Sequence, residues 1–378
     1  MANTWKELEK YSQSLWYDNL SRSFISGGKL QQMIDDLGLR GITSNPSIFE
    51  KSISGSDEYD NDIQAGIREG LTTAELYDRL TTDDVRAAAD VMRQVYESTD
   101  GEDGFVSIEV DAKLANKTQE TIEAARQLWK TVDRPNVMIK IPGTPEGIPA
   151  IRQCLTEGIN INITLLFGIE SYTNVAHAFL DAMRTRKEQG LDIARIASVA
   201  SFFLSRVDTN VDQKLEKKLK ESDGQRGEID AIFGKAAIAN AKLAYERYLE
   251  IFHGDEFAPL QSAGARPQRC LWASVSTKNP KYSDVMYIEP LIGSETVTTV
   301  PDETIEAFAD HGKIGDTLKD NIAEAHAAIE RLARLGIDTE KVADELQVEG
   351  VKKFADAFET LSQNLDKKRH AIEETIAQ

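Results

Sequence analysis

Lys140 lies near the end of a short apolar run, residues 137–141, and a turn follows directly at Pro142. A strand that is covered on both faces reads as a continuous apolar run, so the pattern predicts a buried β-strand that carries this amine. Burial disfavours the charged form of an amine, and a partly neutral amine can attack a carbonyl carbon and form a Schiff base. On this window alone, the alternative is a lysine that extends from the strand end into solvent.

Glu109 is a second residue that could take part in such chemistry. It lies in the segment 106–111, which alternates as a strand does and places a carboxylate among strand residues. A partner on an adjacent strand would explain it, and Lys140 is the candidate. Schiff-base chemistry needs an acid/base at that place, because protons must move while the carbinolamine forms and loses water.

Further polar residues end other predicted strands, and each also has a purely structural explanation. Asp18 could cap a following helix, and Asn45 before Pro46 fits an N-cap with proline at the first helical position. Ser201 and Ser274 could be turn residues. In a barrel enzyme, however, such strand ends point into the active-site mouth. The set consists of Asp18, Asn45, Ser201, Ser274 and the pair Asn162 and Thr164.

Arg206 lies where a predicted strand gives way to a helix, which is a favourable place for binding phosphate. A guanidinium group matches a phosphate through two hydrogen bonds, and N–H groups at a helix end add to them. Lys278, shortly after Ser276, could supply a second positive charge. The structural alternative for Arg206 is a surface arginine near Asp208.

The elements that must position these residues follow from eight short apolar runs, most of them followed by a helical pattern. Strands that alternate with helices imply parallel βαβ units, and about eight such units imply a closed (β/α)8 TIM barrel. The predicted strands are 15–18, 41–45, 106–110, 137–141, 159–166, 196–203, 270–274 and 296–300.

Two long stretches between predicted strands, 45–106 and 203–270, look helical, with an amphipathic helix over 229–252. They are interpreted as helical insertions in one domain of residues 1–378, because no Pro/Ser/Gly-rich linker separates them. From about residue 340 a C-terminal helix is predicted to pack across the barrel exterior or its mouth. Its apolar stripe consists of Val351, Phe354, Phe358, Leu361 and Leu365.

Composition limits the partners. The chain has 44 basic and 63 acidic residues and a net charge of -19, which disfavours nucleic acid and anionic membranes and requires a local cationic site for any anionic substrate. Cys154 and Cys270 do not make a disulfide framework or a metal cluster and are expected to be buried and reduced. Nucleotide and metal signatures are absent, as are a signal peptide and a membrane span, so a cytoplasmic protein without metal is expected.

Two segments resemble the signatures of transaldolases. Residues 41–49, which read GITSNPSIF, are similar to the first signature, and residues 137–142 are similar to the second, which contains the Schiff-base lysine. That lysine falls on Lys140. The resemblance extends from about Trp5 through the C-terminal helix and is closest to the longer bacterial branch of the family. The second signature continues with Thr144, Glu146 and Gly147.

The resemblance implies a (β/α)8 barrel that moves a dihydroxyacetone unit between sugar phosphates in the pentose phosphate pathway. It implies no metal or organic cofactor, and a monomer or homodimer is expected. The catalytic residues that it marks are Asp18, Glu109, Lys140 and Thr164. Together with the strand ends, it predicts as substrate contacts Asn45, Asn162, Ser201, Phe203, Arg206, Ser274, Ser276 and Lys278.

One position departs from the family pattern. Many members have a second phosphate-binding arginine where this chain has Ser276. Lys278 would replace it, but a lysine is a point charge without the planar fork of a guanidinium.

Two alternative functions remain. A direct aldolase of the same family is disfavoured, because that branch has glutamine in place of Glu109 and tyrosine in place of Phe203. A non-catalytic sugar-phosphate-binding barrel would be expected to have lost Lys140 or its partners, and they are all present.

Overall fold

The barrel is formed by eight parallel strands, as seen in a computed structural model that describes residues 4–221 and 226–377. Each strand pairs with the next one along the chain, and the last pairs with the first, so the sheet is closed. This confirms the predicted (β/α)8 TIM barrel, and each strand overlaps one of the eight predicted runs. The strands are β1 (Gln13–Tyr17), β2 (Gly41–Ile42), β3 (Phe105–Glu109), β4 (Val137–Pro142), β5 (Ile161–Leu166), β6 (Ser198–Phe203), β7 (Arg269–Ala273) and β8 (Thr296–Val300).

Helices connect and cover the strands. Short 3₁₀ helices occur at Lys6–Tyr11, Ala112–Leu114 and Glu289–Leu291, and a π-helix at Glu50–Ser54. The α-helices are α1 (Arg22–Ser26), α2 (Lys29–Leu37), α3 (Pro46–Phe49), α4 (Asp60–Glu69), α5 (Thr73–Ser98), α6 (Thr118–Val132), α7 (Gly147–Glu157), α8 (Ile169–Glu188), α9 (Ser205–Glu221), α10 (Arg226–Asp230), α11 (Ala236–Phe252), α12 (Ala258–Gln261), α13 (Asp302–His311), α14 (Ile322–Arg334) and α15 (Thr339–Ala377).

The register of the strands places the chemically important positions side by side. Lys140 on β4 is opposite Glu109 on β3 and opposite Asn162 on β5. The register of β5 against β6 shifts between Ile163 and Leu166, which marks a β-bulge. The adjacency of Lys140 and Glu109 that the sequence analysis required is therefore present.

Gly41 shows why the first signature needs a glycine at its start. A Cβ atom at this position would lie 2.4 Å from the ring of Trp16, its partner on β1. Such a contact is far inside van der Waals distance, so a side chain would push β2 away from β1. The glycine lets the two strands pair at the edge of the site.

The two helical insertions are present, but the helix predicted over 229–252 is interrupted. The chain forms a turn after α10, and α11 begins only at Ala236. Gly234 has a φ of 64° in this turn, and its N–H donates to Oδ1 of Asp212 (3.0 Å) instead of continuing a helix. Left-handed backbone and a competing side-chain acceptor break the helix here.

The C-terminal helix α15 begins at Thr339, close to the predicted start, and lies over the mouth of the barrel. Leu361 and Leu365 of its apolar stripe are fully buried, and Phe354 reaches the central cavity described below. The assignment of residues 1–378 to one domain stays a prediction.

Both cysteines are buried and unpaired, and burial raises the pKa of each thiol to about 12. Of the helices in the described ranges, none is long and apolar enough to span a membrane. The first three residues of the amino-terminal segment, for which the sequence predicts no signal peptide, lie outside the described ranges.

Candidate active site

A cavity of about 290 Å³ opens at the carboxyl ends of the barrel strands. Glu109 and Asn162 lie behind its surface, while the other predicted site residues line it. A larger cavity of about 540 Å³ lies between α11 and α14 and contains none of the predicted residues. The predicted residues that line the central cavity are Asp18, Asn45, Lys140, Thr164, Ser201, Phe203, Arg206, Ser274, Ser276 and Lys278.

Lys140 is buried at the base of this cavity, with 5% of its surface exposed. Its Nζ atom donates a hydrogen bond to the carbonyl oxygen of Ser44 (2.9 Å) and lies 3.8 Å from Oε2 of Glu109. The alternative of a lysine extending into solvent is therefore wrong. A carboxylate at this distance is placed to exchange a proton with the amine, directly or through one water molecule.

Glu109 has an environment that favours proton transfer near neutral pH. Neither of its carboxylate oxygens accepts a hydrogen bond from any residue that the structure describes. Burial raises the pKa of this carboxyl group to about 7, while the positive charge of Lys140 opposes the rise and the negative charge of Asp18 adds to it. A group with such a pKa can act as an acid and as a base at physiological pH.

Asp18 is fixed by a chain of hydroxyl groups. Oγ1 of Thr43 donates to Oδ1 of Asp18 (2.7 Å) and lies 2.7 Å from Oγ1 of Thr299. Because the single proton of Thr43 is directed to Asp18, Thr299 must be the donor to Thr43. Burial raises the pKa of Asp18, and the positive charge of Lys140 opposes this rise. The two threonines thus hold the carboxylate as a proton acceptor.

Asn162 supports the site from behind. Its Nδ2 atom donates to Oγ of Ser107 (3.0 Å), and its Oδ1 atom accepts from Oγ of Ser201 (2.7 Å). The predicted role of Asn162 as a residue at the cavity surface does not match this placement. Its amide is used to hold Ser201, which does line the cavity.

Thr164 points a free hydroxyl group at the cavity. It is fully buried, and its Oγ1 atom has no hydrogen-bond partner in the described part of the chain. A buried polar atom without a partner is rare and indicates a place for a water or a substrate atom. The hydroxyl is therefore available for a ligand in the cavity that Lys140 also lines.

Asn45 caps a helix, as one of its two predicted roles requires, and it also lines the cavity. Its Oδ1 atom caps α3 by accepting from the backbone N–H groups of Ser47 (3.0 Å) and Ile48 (3.1 Å), and Pro46 occupies the first helical position. Its Nδ2 atom donates to no residue in the described ranges. The cap therefore fixes the side chain and leaves its amide N–H groups for a ligand.

Arg206 lies in the first turn of α9, between two aromatic rings. The guanidinium carbon is 5.6 Å from the ring centre of Phe203 and 6.0 Å from that of Phe354. Burial lowers the pKa of this guanidinium, and the charge of Glu349 opposes the change. Pairing with Asp208 is not observed, because Asp208 accepts from the backbone of Ala237 and from Tyr287.

The loop after β7 supplies the remaining side of the cavity. Ser274 adopts a left-handed φ of 54°, and its hydroxyl lies 2.8 Å from that of Ser205 at the start of α9. Ser276 donates to Oε1 of Glu303 (2.8 Å). Lys278 is exposed at the rim. The predicted cationic side of the cavity thus contains a carboxylate as well.

Several cavity residues were missed by the sequence analysis. Thr43 lies inside the first signature, which was a usable signal. Phe354 belonged to the apolar stripe of a helix that was predicted to pack across the barrel exterior or its mouth, and it was given no role in the site. Glu303 in the first turn of α13 looks like an ordinary helix-start residue. The cavity residues that were missed include Thr43, Thr299, Glu303 and Phe354.

Within residues 4–221 and 226–377, no three His, Cys, Asp or Glu side chains are grouped as they would be to hold a metal ion. The polar groups of the cavity are instead two amines, three carboxyl groups at or just behind its surface, an arginine and several hydroxyls. This set suits carbonyl and phosphate chemistry.

Comparisons with known proteins agree with this geometry. The family model described as Transaldolase/Fructose-6-phosphate aldolase matches residues 15–365. A protein named Transaldolase from Trichodesmium erythraeum is 46% identical over 372 residues, 97% of this chain and 98% of the relative. Proteins from Nostoc punctiforme, named Transaldolase 2, and Acidothermus cellulolyticus, named Transaldolase, are 48% and 47% identical, each over 96% of both chains. The chain therefore belongs to the transaldolase/fructose-6-phosphate aldolase family.

Proposed function

We propose that the protein is a transaldolase of the pentose phosphate pathway. It transfers a dihydroxyacetone unit from sedoheptulose 7-phosphate or fructose 6-phosphate to glyceraldehyde 3-phosphate or erythrose 4-phosphate. The observation that carries this proposal is the buried amine of Lys140, 3.8 Å from Oε2 of Glu109, at the base of the cavity. The names of the relatives support it.

The first step joins Lys140 to the ketose. Glu109 accepts a proton from the ammonium group, and the neutral amine attacks the C2 carbonyl carbon while the carbonyl electrons move to oxygen. Glu109 returns its proton to this oxygen, and a second proton moves to the oxygen from the attached nitrogen. The resulting water leaves, and an iminium ion remains. The free hydroxyl of Thr164 is placed to hold a water molecule that carries these protons.

The second step breaks the bond between C3 and C4. Asp18 removes the proton of the C4 hydroxyl, a new carbonyl forms at C4, and the bonding electrons flow into the iminium ion to give an enamine. The hydrogen bond from Thr43 holds Asp18 for this proton transfer. The aldose phosphate then leaves, and the three-carbon unit stays on Lys140.

The third step reverses these events with a second aldose phosphate. The enamine carbon attacks the aldehyde carbon, and Asp18 returns its proton to the new hydroxyl. Water then hydrolyses the iminium ion and releases the new ketose phosphate. The iminium ion accepts the electrons of the broken bond, and the enamine returns them when the new bond forms, so the proposed mechanism uses no metal or organic cofactor.

The phosphate group is assigned to the side of the cavity formed by α9 and the loop after β7. Arg206 in the first turn of α9 provides the guanidinium group, and Ser201 and Ser274 provide hydroxyls. Lys278 provides a second, exposed charge. The contact between Ser276 and Glu303 weakens the positive potential on that side, so Arg206 is expected to dominate phosphate binding.

The experiment that tests the mechanism is borohydride trapping with fructose 6-phosphate, followed by mass spectrometry of peptides. The wild-type protein should be modified at Lys140, and Lys140→Met should abolish both trapping and transfer. Lys278→Met is the matched control, because Lys278 also lines the cavity. Trapping that persists in Lys140→Met and disappears in Lys278→Met would overturn the assignment.

Direct cleavage of fructose 6-phosphate is the second candidate, because the family description contains this activity as well. Glu109 and Phe203 support transfer, because the aldolase branch has glutamine and tyrosine at these two positions. A coupled assay over a panel of ketose and aldose phosphates distinguishes transfer from release of free dihydroxyacetone. A non-catalytic barrel would show neither.

The proposed activity implies sugar phosphates as partners and a cytoplasmic location, where these metabolites are held. We propose a monomer or a homodimer as the assembly, and light scattering after size-exclusion chromatography measures which one forms.

A further inference from the structure

Strand β5 has an irregular backbone at the residue after Thr164. Leu165 is fully buried and adopts a φ of 59°, which is rare for a residue with a branched side chain. The register shift between Ile163 and Leu166 places a β-bulge here. Bulges next to active sites redirect side chains, and here the redirected hydroxyl is the partnerless one of Thr164.

Gln347 of α15 reaches down to this bulge. Its Nε2 atom donates to the carbonyl oxygen of Gly143 (3.0 Å) and to that of Leu165 (3.3 Å). The N–H of Gly143 in turn donates to the carbonyl oxygen of Thr164 (2.9 Å). One side-chain amide therefore links the ends of β4 and β5, on either side of the Thr164 backbone.

The same face of α15 is fixed to β5 and α8 at two further points. The carboxylate of Glu340 accepts from the backbone N–H of Ile169 (3.0 Å) at the start of α8. Gly350 lies so close to Leu165 that a Cβ atom would be 2.9 Å from its Cδ2 atom. Positions 340, 347 and 350 share one helix face by their spacing, so Gln347 is held against the bulge from both sides.

We propose that Gln347 is a positioning residue that acts through Thr164, an inference that rests on the proposed Schiff-base function. Gln347 holds the bulge at Leu165 and so directs the Thr164 hydroxyl toward Lys140 and Glu109. The water that carries protons between Glu109 and the carbinolamine then occupies a fixed place. Without the two hydrogen bonds, β5 can relax at Leu165 and the hydroxyl turns away.

The test uses Gln347→Met, which keeps the length and helix propensity of the side chain but removes its N–H donors. The rate of Schiff-base formation, measured by borohydride quenching after mixing with fructose 6-phosphate, should fall at least about tenfold. Gln363→Met is the matched control on the same helix, because Gln363 is in contact with Glu359 and not with the cavity. It should keep the wild-type rate.

A double mutant shows whether Gln347 acts through Thr164. Thr164→Val removes the hydroxyl and keeps the shape of the side chain. If the proposal is correct, adding Gln347→Met to Thr164→Val slows Schiff-base formation no further, because the two residues serve one function. Losses that multiply would overturn the proposal, since Gln347 would then act by another route.

A purely structural role gives a different pattern. Binding of inorganic phosphate, which Arg206 should dominate, is expected to be unchanged in Gln347→Met, whereas a collapsed cavity would weaken it. If Gln347→Met does not fold, Gln347→Glu replaces it, because a carboxylate has the same length and no N–H donor.

A wild-type rate of Schiff-base formation in either folded variant would overturn the proposal. Absence of trapping in the wild-type protein would instead overturn the Schiff-base function itself, and the positioning role with it.

Discussion

At the scale of single residues, two carboxyl groups near Lys140 have different surroundings. Glu109 accepts no hydrogen bond from any residue that the structure describes, and burial raises its pKa to about 7. Asp18 accepts a hydrogen bond from Thr43, which favours its charged form. Because their environments differ, two carboxyl groups of one site can have different roles, Glu109 as acid and base and Asp18 as base.

The pH dependence of Schiff-base formation tests the role of Glu109. Burial raises the pKa of Glu109 from 4.5, so the group is protonated below about pH 7 and ionised above it. Because the ionised form must accept the proton of Lys140, the rate should rise as the pH increases through about 7. Glu109→Gln should lower the rate by about 100-fold or more and remove this step from the profile.

Glu303→Gln is the control for this measurement, because Glu303 is another carboxylate of the same cavity. It should retain the step near pH 7. Persistence of the step in Glu109→Gln would assign it to a different group.

Phe203 is expected to control whether the enamine is transferred or released. Its ring lines the cavity, 5.3 Å from the ring of Phe167, and offers no hydroxyl to hold a water molecule or donate a proton. Phe203→Tyr should therefore raise the release of free dihydroxyacetone relative to transfer, with the Schiff base still trapped on Lys140. The ratio of the two products is the measurement.

The same substitution at Phe354 is a matched control, since this ring also lines the cavity but lies against Arg206. Phe354→Tyr should leave the product ratio unchanged. An unchanged ratio in Phe203→Tyr would show that Phe203 does not control the partition.

Arg206→Ala should weaken the binding of phosphorylated substrates by ~1.5–3 kcal/mol, as expected for a lost charge-assisted hydrogen bond. Trapping of unphosphorylated dihydroxyacetone should change little. Lys278→Ala should have a smaller effect, because Lys278 is exposed and solvent screens its charge. Equal losses on phosphorylated and unphosphorylated substrates would remove Arg206 from the phosphate site.

At the scale of elements, the loop between β7 and β8 is anchored by two tyrosines. Tyr287 donates to Oδ2 of Asp208 (2.8 Å), and Tyr282 donates to Oδ2 of Asp212 (2.6 Å). Both aspartates belong to α9, which also carries Arg206. The loop and the helix on the proposed phosphate side of the cavity are therefore connected through one buried and one partly buried hydrogen bond.

Tyr287→Phe should lower the free energy of unfolding in a pH-dependent way. Burial raises the pKa of Asp208 from 3.8 to about 6, so the folded state binds a proton on this group more tightly than the unfolded state does. The stability that this tighter proton binding contributes is lost as the pH rises through about 6. Removing the Tyr287 donor raises this pKa further. The loss should be about 1–3 kcal/mol at pH 8 and smaller at pH 5, measured by urea unfolding.

Tyr282→Phe serves for comparison, because Tyr282 is only partly buried and water can replace its hydroxyl. Its loss should be smaller at pH 8. A loss in Tyr287→Phe that is the same at both pH values would show that Asp208 does not titrate in this range.

The sequence predicted the strands well because each one is a short apolar run followed by a turn, which periodicity detects. The sequence did not predict the features that depend on tertiary contacts. The helix expected over 229–252 is broken at Gly234 because Asp212 competes for its N–H. The apolar stripe of α15 indicated which face of the helix is buried, but it did not indicate that Phe354 contacts Arg206. The contact of Thr43 with Thr299 depends on strand register, which no local pattern contains.

At the scale of the whole molecule, closure of the barrel joins distant parts of the chain. Strand β1 pairs over its whole length with β8, from Gln13 opposite Thr296 to Tyr17 opposite Val300. The indole N–H of Trp5 also donates to the carbonyl oxygen of Ile305 (3.0 Å). Non-local contacts of this kind are expected to slow folding, because a long loop must close before the contacts can stabilise the barrel.

The net charge of -19 sets the large-scale field of the molecule, whereas the cavity brings together three cations and two carboxylates, Asp18 and Glu303. Lys140, Arg206 and Lys278 all line the cavity, and the low dielectric around buried Lys140 and half-buried Arg206 strengthens the attraction of these two for an anion. A phosphorylated substrate, as proposed above, is therefore expected to be repelled by most of the surface and attracted to the Arg206 side of the cavity.

Helix α15 lies over the mouth but is synthesised after the whole barrel, because it forms the C-terminal part of the chain. All eight strands have been synthesised once residue 300 is in place, whereas Gln347 and Phe354 are added afterwards. Chains begin to fold from the N-terminus while synthesis continues. A nascent chain therefore contains every residue of the proposed mechanism before it contains the side chains that position Thr164 and flank Arg206. Proteolysis just before Gln347 would leave the same incomplete state, with the reactive amine present and its surroundings unfinished.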